Sequence, residues 1–247
     1  EFVFSLVNEY KPDYIFHFAA ISTTKHQQLF INSNAIYTGS LNILESIKHF
    51  NLKTKVFISG SAMQFKNTGD PINEESEFSA SSPYSVFRIS SVYLARYYRE
   101  HFGLEVYVGY LFNHDSALRT ENHVNQKIIS SVKRILNNEQ NVLELGNIDI
   151  KKEFNFAGDI VESIWILVNQ NRFYEAVLGC GVSHSIKEWL DVCFNLAGLN
   201  WQDYVVVDAV PPEYKILVSD PKLIRSLGWA QKIDFKSLAE MMYHNTI

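Results

Sequence analysis

Three polar side chains in the first half of the chain have the types and the spacing needed for proton transfer. Ser61 follows the apolar residues 56–58, and Tyr84 and Arg88 stand four positions apart in a segment with a helical pattern. Residues four apart lie on one face of a helix, so Tyr84 and Arg88 should project together toward the strand end. A cation beside a tyrosine favours the tyrosinate form, which can take a proton from an alcohol near neutral pH. We therefore predict a proton-transfer group for alcohol and ketone chemistry, although Tyr84 and Arg88 taken alone would also suit a surface helix.

The elements that must hold these residues alternate along the chain. Short apolar runs typical of buried strands lie at residues 14–18, 55–59 and 104–110, and helical patterns at 31–50 and 84–102 separate them. Apolar strands joined by helices are typical of a parallel sheet with helices on both faces. We therefore predict an α/β fold with a Rossmann-type parallel sheet.

The second half of the chain carries shorter and more mixed elements. Helical patterns lie at residues 124–138, 159–170, 186–196 and 235–243, and strand patterns at 142–145, 174–178 and 204–208. No flexible linker separates the halves, so we predict a small mixed α/β lobe interleaved with the Rossmann part. The predicted division gives 1–112 and 154–181 to the dinucleotide-binding part and 113–153 and 182–247 to a nucleotide-sugar-binding lobe.

The predicted Rossmann unit is incomplete. Such a unit normally begins with a strand, a glycine-rich turn and a helix that together hold a pyrophosphate. This chain contains no Gly-x-Gly-x-x-Gly sequence, and its first glycine is Gly39. A missing N-terminal part and a protein that holds no pyrophosphate in the usual way are both compatible with this pattern.

Composition limits the classes of partner. The chain has 247 residues, a net charge of −5 and 47% hydrophobic residues, so neither nucleic acid nor an anionic membrane is favoured as a partner. There is no apolar run long enough to span a bilayer, and the first residues lack the features of a signal peptide, so a cytoplasmic protein is expected. The two cysteines are predicted to be buried, inert thiols, and the eight histidines show no metal-ligand spacing, so no metal site is predicted.

Several short segments resemble the extended short-chain dehydrogenase/reductase family, and within it the GDP-mannose 4,6-dehydratase branch. They are residues 16–22 (Phe-His-Phe-Ala-Ala-Ile-Ser), 111–116 (Leu-Phe-Asn-His-Asp-Ser), 145–147 (Leu-Gly-Asn), 219–221 (Ser-Asp-Pro) and 227–229 (Leu-Gly-Trp). The resemblance covers nearly the whole chain. It implies a nucleotide-sugar enzyme that uses NADP, or alternatively NAD, and that assembles as a homo-dimer or homo-tetramer.

The resemblance also assigns roles to individual residues. It makes Ser61, Tyr84 and Arg88 the catalytic group, with Arg88 in place of the family's lysine. The cofactor-binding residues that it implies are Phe18, Ala19, Ala20, Ser22, Tyr84, Arg88, His114 and Arg119. The substrate-binding residues that it implies are Ser61, Asn113, Lys127 and Lys152. Small residues such as Ala19 and Ala20 let a ligand approach the backbone, and Asn113 and His114 follow a strand end, where open α/β sheets bind ligands.

Four positions depart from the family pattern, namely Met63, Arg88, Lys152 and Val210. Met63 stands where the dehydratases have an acid, and a thioether can neither remove the C5 proton nor protonate the leaving hydroxyl. Arg88 keeps the charge of a lysine but has a different geometry and exchanges no proton. Lys152 and Val210 replace arginines, which removes bidentate contacts to phosphate.

These observations lead to one preferred function and two alternatives. The preferred function is oxidation of the sugar C4 hydroxyl by hydride transfer to NADP, followed by formation of a 4-keto-6-deoxy sugar. One alternative is a nucleotide-sugar 4-reductase or epimerase that lacks the dehydration step. The other is a catalytically weakened protein that binds nucleotide sugars.

Overall fold

The computed structural model describes residues 1–23, 25–208, 211 and 214–246. Its main sheet has four parallel strands in the order β1-β2-β3-β8. They are β1 (Tyr14–His17), β2 (Lys55–Ser61), β3 (Val106–Leu111) and β8 (Glu175–Leu178). The register pairs His17 with Ile58 and Ser61 with Leu111, so the carboxyl ends of the strands lie at one edge. The predicted α/β class and Rossmann-type sheet are confirmed.

Successive side chains of a strand point to opposite faces of a sheet. The apolar strands therefore carry apolar side chains on both faces, and helices cover both faces. They include α1 (Phe2–Tyr10), α2 (Leu29–Asn32), α3 (Gly39–His49), α4 (Pro83–Phe102) and α6 (Ala157–Val168). On one face, Val56 and Ile58 of β2 pack into a core with residues of α3 and α4. On the other face, Phe57 packs with residues of α6.

The remaining elements build a second hydrophobic core. They are β4 (His114–Asp115), α5 (Val124–Leu136), β5 (Leu143–Leu145), β6 (Lys151–Glu153), β7 (Asn155–Phe156), β9 (Ser183–Ser185), α7 (Ile186–Leu196), β10 (Val205–Val207), β11 (Ile216–Leu217), α8 (Lys222–Ser226) and α9 (Phe235–His244). Helices α5, α7 and α9 pack together around Trp189, which is fully buried. The tail also returns to the main sheet, since Ile224 and Trp229 pack against α6 and β8. The domain boundaries remain a prediction.

The predicted helix at 31–50 is interrupted. It consists of α2, a π-helical segment (Ser33–Thr38) and α3. Asn32, the last residue of α2, is fully buried. Its side chain lies against the loop that follows β1, where its Oδ1 accepts a hydrogen bond from Ile21 N at 3.0 Å. Gly39 follows the π-helical segment and leaves room for His17, because a Cβ there would lie 2.9 Å from the His17 ring.

Strand β1 is an edge strand in the described structure, and one of its faces carries an aromatic ladder, formed by Tyr14, Phe16, Phe18 and Trp165. Neighbouring ring centroids along β1 are 6.2 and 6.4 Å apart, and Tyr14 lies 5.2 Å from Trp165. Phe18 is 49% exposed and Trp165 is 52% exposed. Within the described ranges, no helix is long and apolar enough to cross a membrane.

Candidate active site

Ser61 is the last residue of β2, which extends two residues beyond the predicted strand. It caps the short helical turn that follows: its Oγ accepts from Met63 N at 3.2 Å, and its own N donates to Gln64 Oε1 at 2.9 Å. Because the Ser61 oxygen accepts in this turn, its O–H proton remains available to donate to a ligand. The turn therefore fixes the hydroxyl at the carboxyl edge of the sheet.

Tyr84 is the second residue of α4. Ser82 and Ser85 form a reciprocal cap at the start of this helix, and Pro83 occupies its first position, which is a strong helix start. The first part of α4 packs against the turn that Ser61 caps. Tyr84 is only 7% exposed, and its hydroxyl has no hydrogen-bond partner in the described part of the chain. Such a hydroxyl is free to serve a ligand.

Arg88 lies one helical turn after Tyr84, as predicted, but its guanidinium is attached to the sheet. One terminal nitrogen donates to Ser59 Oγ at 2.7 Å and also to the Ser59 carbonyl oxygen. The guanidinium carbon lies 5.1 Å from the centroid of the Tyr84 ring. Arg88 is 4% exposed and forms no ion pair within the described residues. Its positive charge is therefore buried beside Tyr84 without a compensating carboxylate.

The loop after β1 carries the predicted cofactor contacts. Phe18 and Ser22 are exposed and Ala20 is partly buried, and the bond between Ile21 N and Asn32 holds the loop in place. His17 precedes this loop, and burial, together with the charge of Arg88, lowers the pKa of its imidazole. The contact of Asn32 has no signature in the sequence, because it joins a helix to a loop 11 residues earlier.

A second group of residues meets beyond the end of β3. Asn155 of β7 donates through Nδ2 to the Asn113 carbonyl oxygen at 2.8 Å and to Glu153 Oε2 at 3.0 Å. Glu153 is fully buried and accepts four further hydrogen bonds, from Cys180 N, Gly181 N, Ser219 N and Ser219 Oγ. This carboxylate therefore joins residues 153–155, 180–181 and 219, and Asn155 connects it to Asn113. Its role was not predictable from the sequence, because a lone glutamate in a short strand carries no pattern.

His114 and Arg119 are held in a polar cluster next to Asn113. The Nδ1 atom of His114 lies 2.8 Å from the Phe112 carbonyl oxygen, and burial lowers the pKa of its ring. Arg119 pairs with Asp115, at 3.1 Å between Nε and Oδ1, and its other end contacts His123 Nδ1 at 2.9 Å. Arg119 therefore already has a carboxylate partner, which reduces the charge that it can offer to a phosphate.

The two predicted substrate lysines occupy different environments. Lys127 is partly exposed and donates to the Glu144 carbonyl oxygen at 2.7 Å. Lys152 is buried, 5.2 Å from the Phe154 ring, and makes no hydrogen bond within the described residues. Burial lowers the pKa of the Lys152 ammonium from 10.5 to about 8; the Asp115 carboxylate opposes this change and the charge of Arg119 adds to it. Lys152 is therefore a buried cation that an anionic ligand would stabilise.

Several buried amide oxygens around this cluster also lack a partner. They are Asn113 Oδ1, Asn125 Oδ1, Gln126 Oε1 and Asn155 Oδ1. Buried polar atoms are almost always hydrogen-bonded in a complete native site. The structure thus brings Asn113, His114, Arg119 and Lys152 together, with Lys127 on the outer side of α5. Val210, where the family pattern predicts an arginine, lies outside the described residues.

The nicotinamide cofactor that the fold implies fits this chain in part. Ser61, the Tyr84 hydroxyl and the buried Arg88 Nε, which has no partner, offer polar groups where a nicotinamide and its ribose would lie. No glycine-rich turn for the pyrophosphate occurs in the 247 residues. Among the described residues, no group of three His, Cys, Asp or Glu side chains could hold a metal ion.

Solved structures with this fold include several nucleotide-sugar enzymes. RMD from Pseudomonas aeruginosa, complexed with NADPH, superimposes with a TM-score of 0.89 at 19% identity and covers 95% of this chain and 81% of that one. The UDP-glucose 4-epimerase of Thermus thermophilus, in complex with NAD, gives a TM-score of 0.85 at 17% identity, over 98% of this chain and 80% of that one. At such identities these likenesses concern the fold.

The four-stranded parallel sheet and the helices that cover it give the chain the Rossmann-type fold of these enzymes. Relatives of higher sequence identity show the family. GDP-mannose 4,6 dehydratase 1 of Arabidopsis thaliana is 35% identical over 242 residues, which are 94% of this chain and 67% of that protein. The human GDP-mannose 4,6 dehydratase is 27% identical over 265 residues, or 97% of this chain and 71% of that protein. The pattern of the GDP-mannose 4,6 dehydratase family matches residues 1–242, and the chain belongs to that family. It spans about two thirds of the length of its curated relatives.

Proposed function

We propose that the protein acts on a nucleotide-diphosphate sugar such as GDP-mannose and oxidises its C4 hydroxyl, with NADP as the cofactor. The observation that carries this proposal is that the Arg88 guanidinium lies beside the Tyr84 ring and is hydrogen-bonded to Ser59, two residues before Ser61 at the end of β2, in a chain of this family. A bound nicotinamide supplies the hydride acceptor. The residues of the chain then have to orient the sugar and accept its proton.

Three side chains have different roles in the proton transfer. The Ser61 hydroxyl donates a hydrogen bond to the C4 oxygen, which its capping geometry leaves it free to do. Tyr84 takes the C4 hydroxyl proton as the C4–H bond is broken. The buried charge of Arg88, next to the Tyr84 ring, stabilises the tyrosinate. The result is a 4-keto sugar.

Binding of the diphosphate is assigned to the polar cluster beyond β3. Lys152 supplies a buried positive charge without a hydrogen-bonded partner among the described residues. The unpaired amide oxygens of Asn113 and its neighbours accept hydrogen bonds, so they suit hydroxyl groups of the ligand and not its phosphate oxygens. Arg119 contributes less than a free arginine would, since Asp115 binds it. A phosphate would therefore depend most on Lys152.

The second half of a dehydratase reaction is a separate question. Removal of water across C5 and C6 needs a base for the C5 proton and an acid for the leaving hydroxyl. Met63 supplies neither, and its side chain packs against the core between the sheet and α4. This observation favours a second candidate function, a nucleotide-sugar 4-reductase or 4-epimerase that lacks the dehydration step.

The test is product analysis with the full-length protein, GDP-mannose and NADP, followed by mass spectrometry and NMR. A 4-keto-6-deoxy sugar would establish dehydration, and a 4-keto or 4-epimeric sugar of unchanged oxygen content would establish the second candidate. Binding of GDP-mannose without any conversion would overturn the enzymatic proposal and leave a nucleotide-sugar-binding protein.

We also propose that the protein forms a homo-dimer or homo-tetramer through α4. Val86, Ser90, Tyr93 and Tyr97 fall on one face of this helix, and Val86, Tyr93 and Tyr97 are 39%, 57% and 49% exposed. An apolar stripe of this kind is typical of a covered surface. Tyr93→Glu with Tyr97→Glu should give a monomer by light scattering, whereas Tyr10→Glu should not; equal masses for both variants would contradict this interface.

A further inference from the structure

The residue that fixes Arg88 is Ser59, two positions before the catalytic serine. The Ser59 hydroxyl donates to the His17 carbonyl oxygen at 3.0 Å and accepts from the Arg88 guanidinium at 2.7 Å. Ser59 is 2% exposed and Arg88 is 4% exposed. The hydroxyl thus uses both its proton and an oxygen lone pair inside the protein.

This contact decides where the guanidinium lies. Arg88 has no carboxylate partner among the described residues, and its Nε has no hydrogen-bond partner there. The hydrogen bonds to Ser59 and the contact with the Tyr84 ring are the interactions that hold the charge. A buried cation is unfavourable unless its donors are satisfied, so the loss of one partner should allow it to move.

We infer that Ser59 is a positioning residue of the reaction: it holds the Arg88 guanidinium beside Tyr84, and the pair Ser59–Arg88 replaces the family's single lysine. This inference rests on the proposed function. A lysine at position 88 would place its nitrogen near the position of the guanidinium carbon, one bond short of the atom that contacts Ser59. An Arg88→Lys protein should therefore no longer depend on the Ser59 hydroxyl.

The test is a double-mutant cycle on Ser59→Ala and Arg88→Lys in the full-length protein. Ser59→Ala should lower kcat roughly tenfold, the scale of one lost hydrogen bond to a charged group, while KM for the nucleotide sugar changes less than about twofold. Ser59→Thr keeps the hydroxyl and should restore kcat. In the Arg88→Lys background, Ser59→Ala should change kcat less than about twofold. Equal effects in both backgrounds, or no effect in either, would overturn the inference.

A second measurement is independent of turnover and so separates this inference from the proposed function. NMR of arginine side chains reports how fast each guanidinium rotates, and the signal of Arg88 is the one lost in Arg88→Lys. Rotation should be slow in the parent protein and in Ser59→Thr, and measurably faster in Ser59→Ala, where only the backbone carbonyl oxygen of residue 59 still accepts from Arg88. The same slow rotation in Ser59→Ala would overturn the positioning role even if no substrate were turned over.

Discussion

Tyr84 differs from the other tyrosines of α4 in what its side chain touches. Tyr98 is hydrogen-bonded to Glu45. Burial is the main cause of the raised pKa of Tyr98, and the hydrogen bond to Glu45 raises it further. Tyr93 and Tyr97 are exposed. Tyr84 alone of these combines a buried ring, a neighbouring cation and a hydroxyl without a partner among the described residues. This combination suits a group that exchanges a proton with a ligand.

Tyr84→Phe should lower turnover by roughly a hundredfold or more, the usual scale for a general acid–base group. The reason is that phenylalanine keeps the packing but has no proton to exchange. Steady-state kinetics of the full-length protein provide the measurement, and Tyr10→Phe on the exposed α1 is the matched control. Unchanged turnover in Tyr84→Phe would remove Tyr84 from the mechanism.

Met63→Glu should raise 4,6-dehydratase activity if the parent protein dehydrates slowly, because it places a carboxylate two residues after Ser61. The measurement is the ratio of 4-keto-6-deoxy sugar to 4-keto sugar. Met63→Gln controls for the polar group in a position that packs on the core. Rapid dehydration by the parent protein would contradict the argument, since another residue would then be the base.

Strand β6 places two ionisable residues side by side in the interior, and each leads to a prediction. Lys152 holds its proton below pH 8 and loses it above, because burial lowers its pKa to about 8. Affinity for an anionic nucleotide sugar should therefore fall as the pH rises through about 8. Between about pH 7 and 9 the loss should be roughly tenfold, the scale of a hydrogen bond to a charged group.

Lys152→Arg is the matched variant for this pH dependence, since an arginine keeps its charge over the whole range. Calorimetry with GDP-mannose at the two ends of that pH range should show the loss of affinity in the parent protein and little change in Lys152→Arg. The same pH dependence in both proteins would show that another group titrates.

Glu153→Gln should lower the free energy of unfolding by about 3 kcal/mol. The reason is that the NH2 group of the glutamine would face at least two N–H or O–H donors whose hydrogen bonds the carboxylate now accepts. The close fit supports this expectation, since a Cβ at Gly179 would lie 2.3 Å from Glu153 Oε2. Urea unfolding provides the measurement. Glu162→Gln, whose partner Lys232 is exposed, should change the value far less; equal losses would contradict the role of Glu153.

The same elements show how far the sequence predicts the site. Ser61, Tyr84 and Arg88 could be predicted because each depends on local patterns: a strand end, a helix start and a four-residue spacing. The attachment of Arg88 to Ser59 could not, because it joins residues 29 positions apart. The two-residue strands β4 and β7 were missed for the same reason, since pairing with a distant strand, and not local periodicity, defines them.

At the scale of the whole molecule, alternating apolar strands and helices were enough to predict the parallel sheet. The π-helical segment was not predictable, because nothing in residues 31–50 breaks the helical pattern. The C-terminal segment is also more closely joined to the Rossmann part than the sequence indicates, since Trp229 Nε1 donates to the carbonyl oxygen of Asp159 in α6 at 2.8 Å.

The 247-residue chain by itself should not bind NADP(H) tightly, because it contains no glycine-rich turn to hold a pyrophosphate. Titration followed by cofactor fluorescence should show no saturation at micromolar concentrations. A protein that includes such a turn is the comparison, and saturable tight binding to this chain alone would mean that the cofactor lies elsewhere.

The aromatic ladder on β1 gives the protein an internal optical probe. Of its four tryptophans, Trp189 and Trp229 are buried. Trp201 is partly buried against the second core and hydrogen-bonded to Asp191, whereas Trp165 is half exposed and lies against Tyr14. Light emitted by Trp165 should be shifted to longer wavelengths and accessible to iodide quenching, unlike that of the two buried indoles. Any chain segment or ligand that covers the open face of β1 should shift this emission to shorter wavelengths and protect it from iodide, so occupancy of this face can be followed without a label.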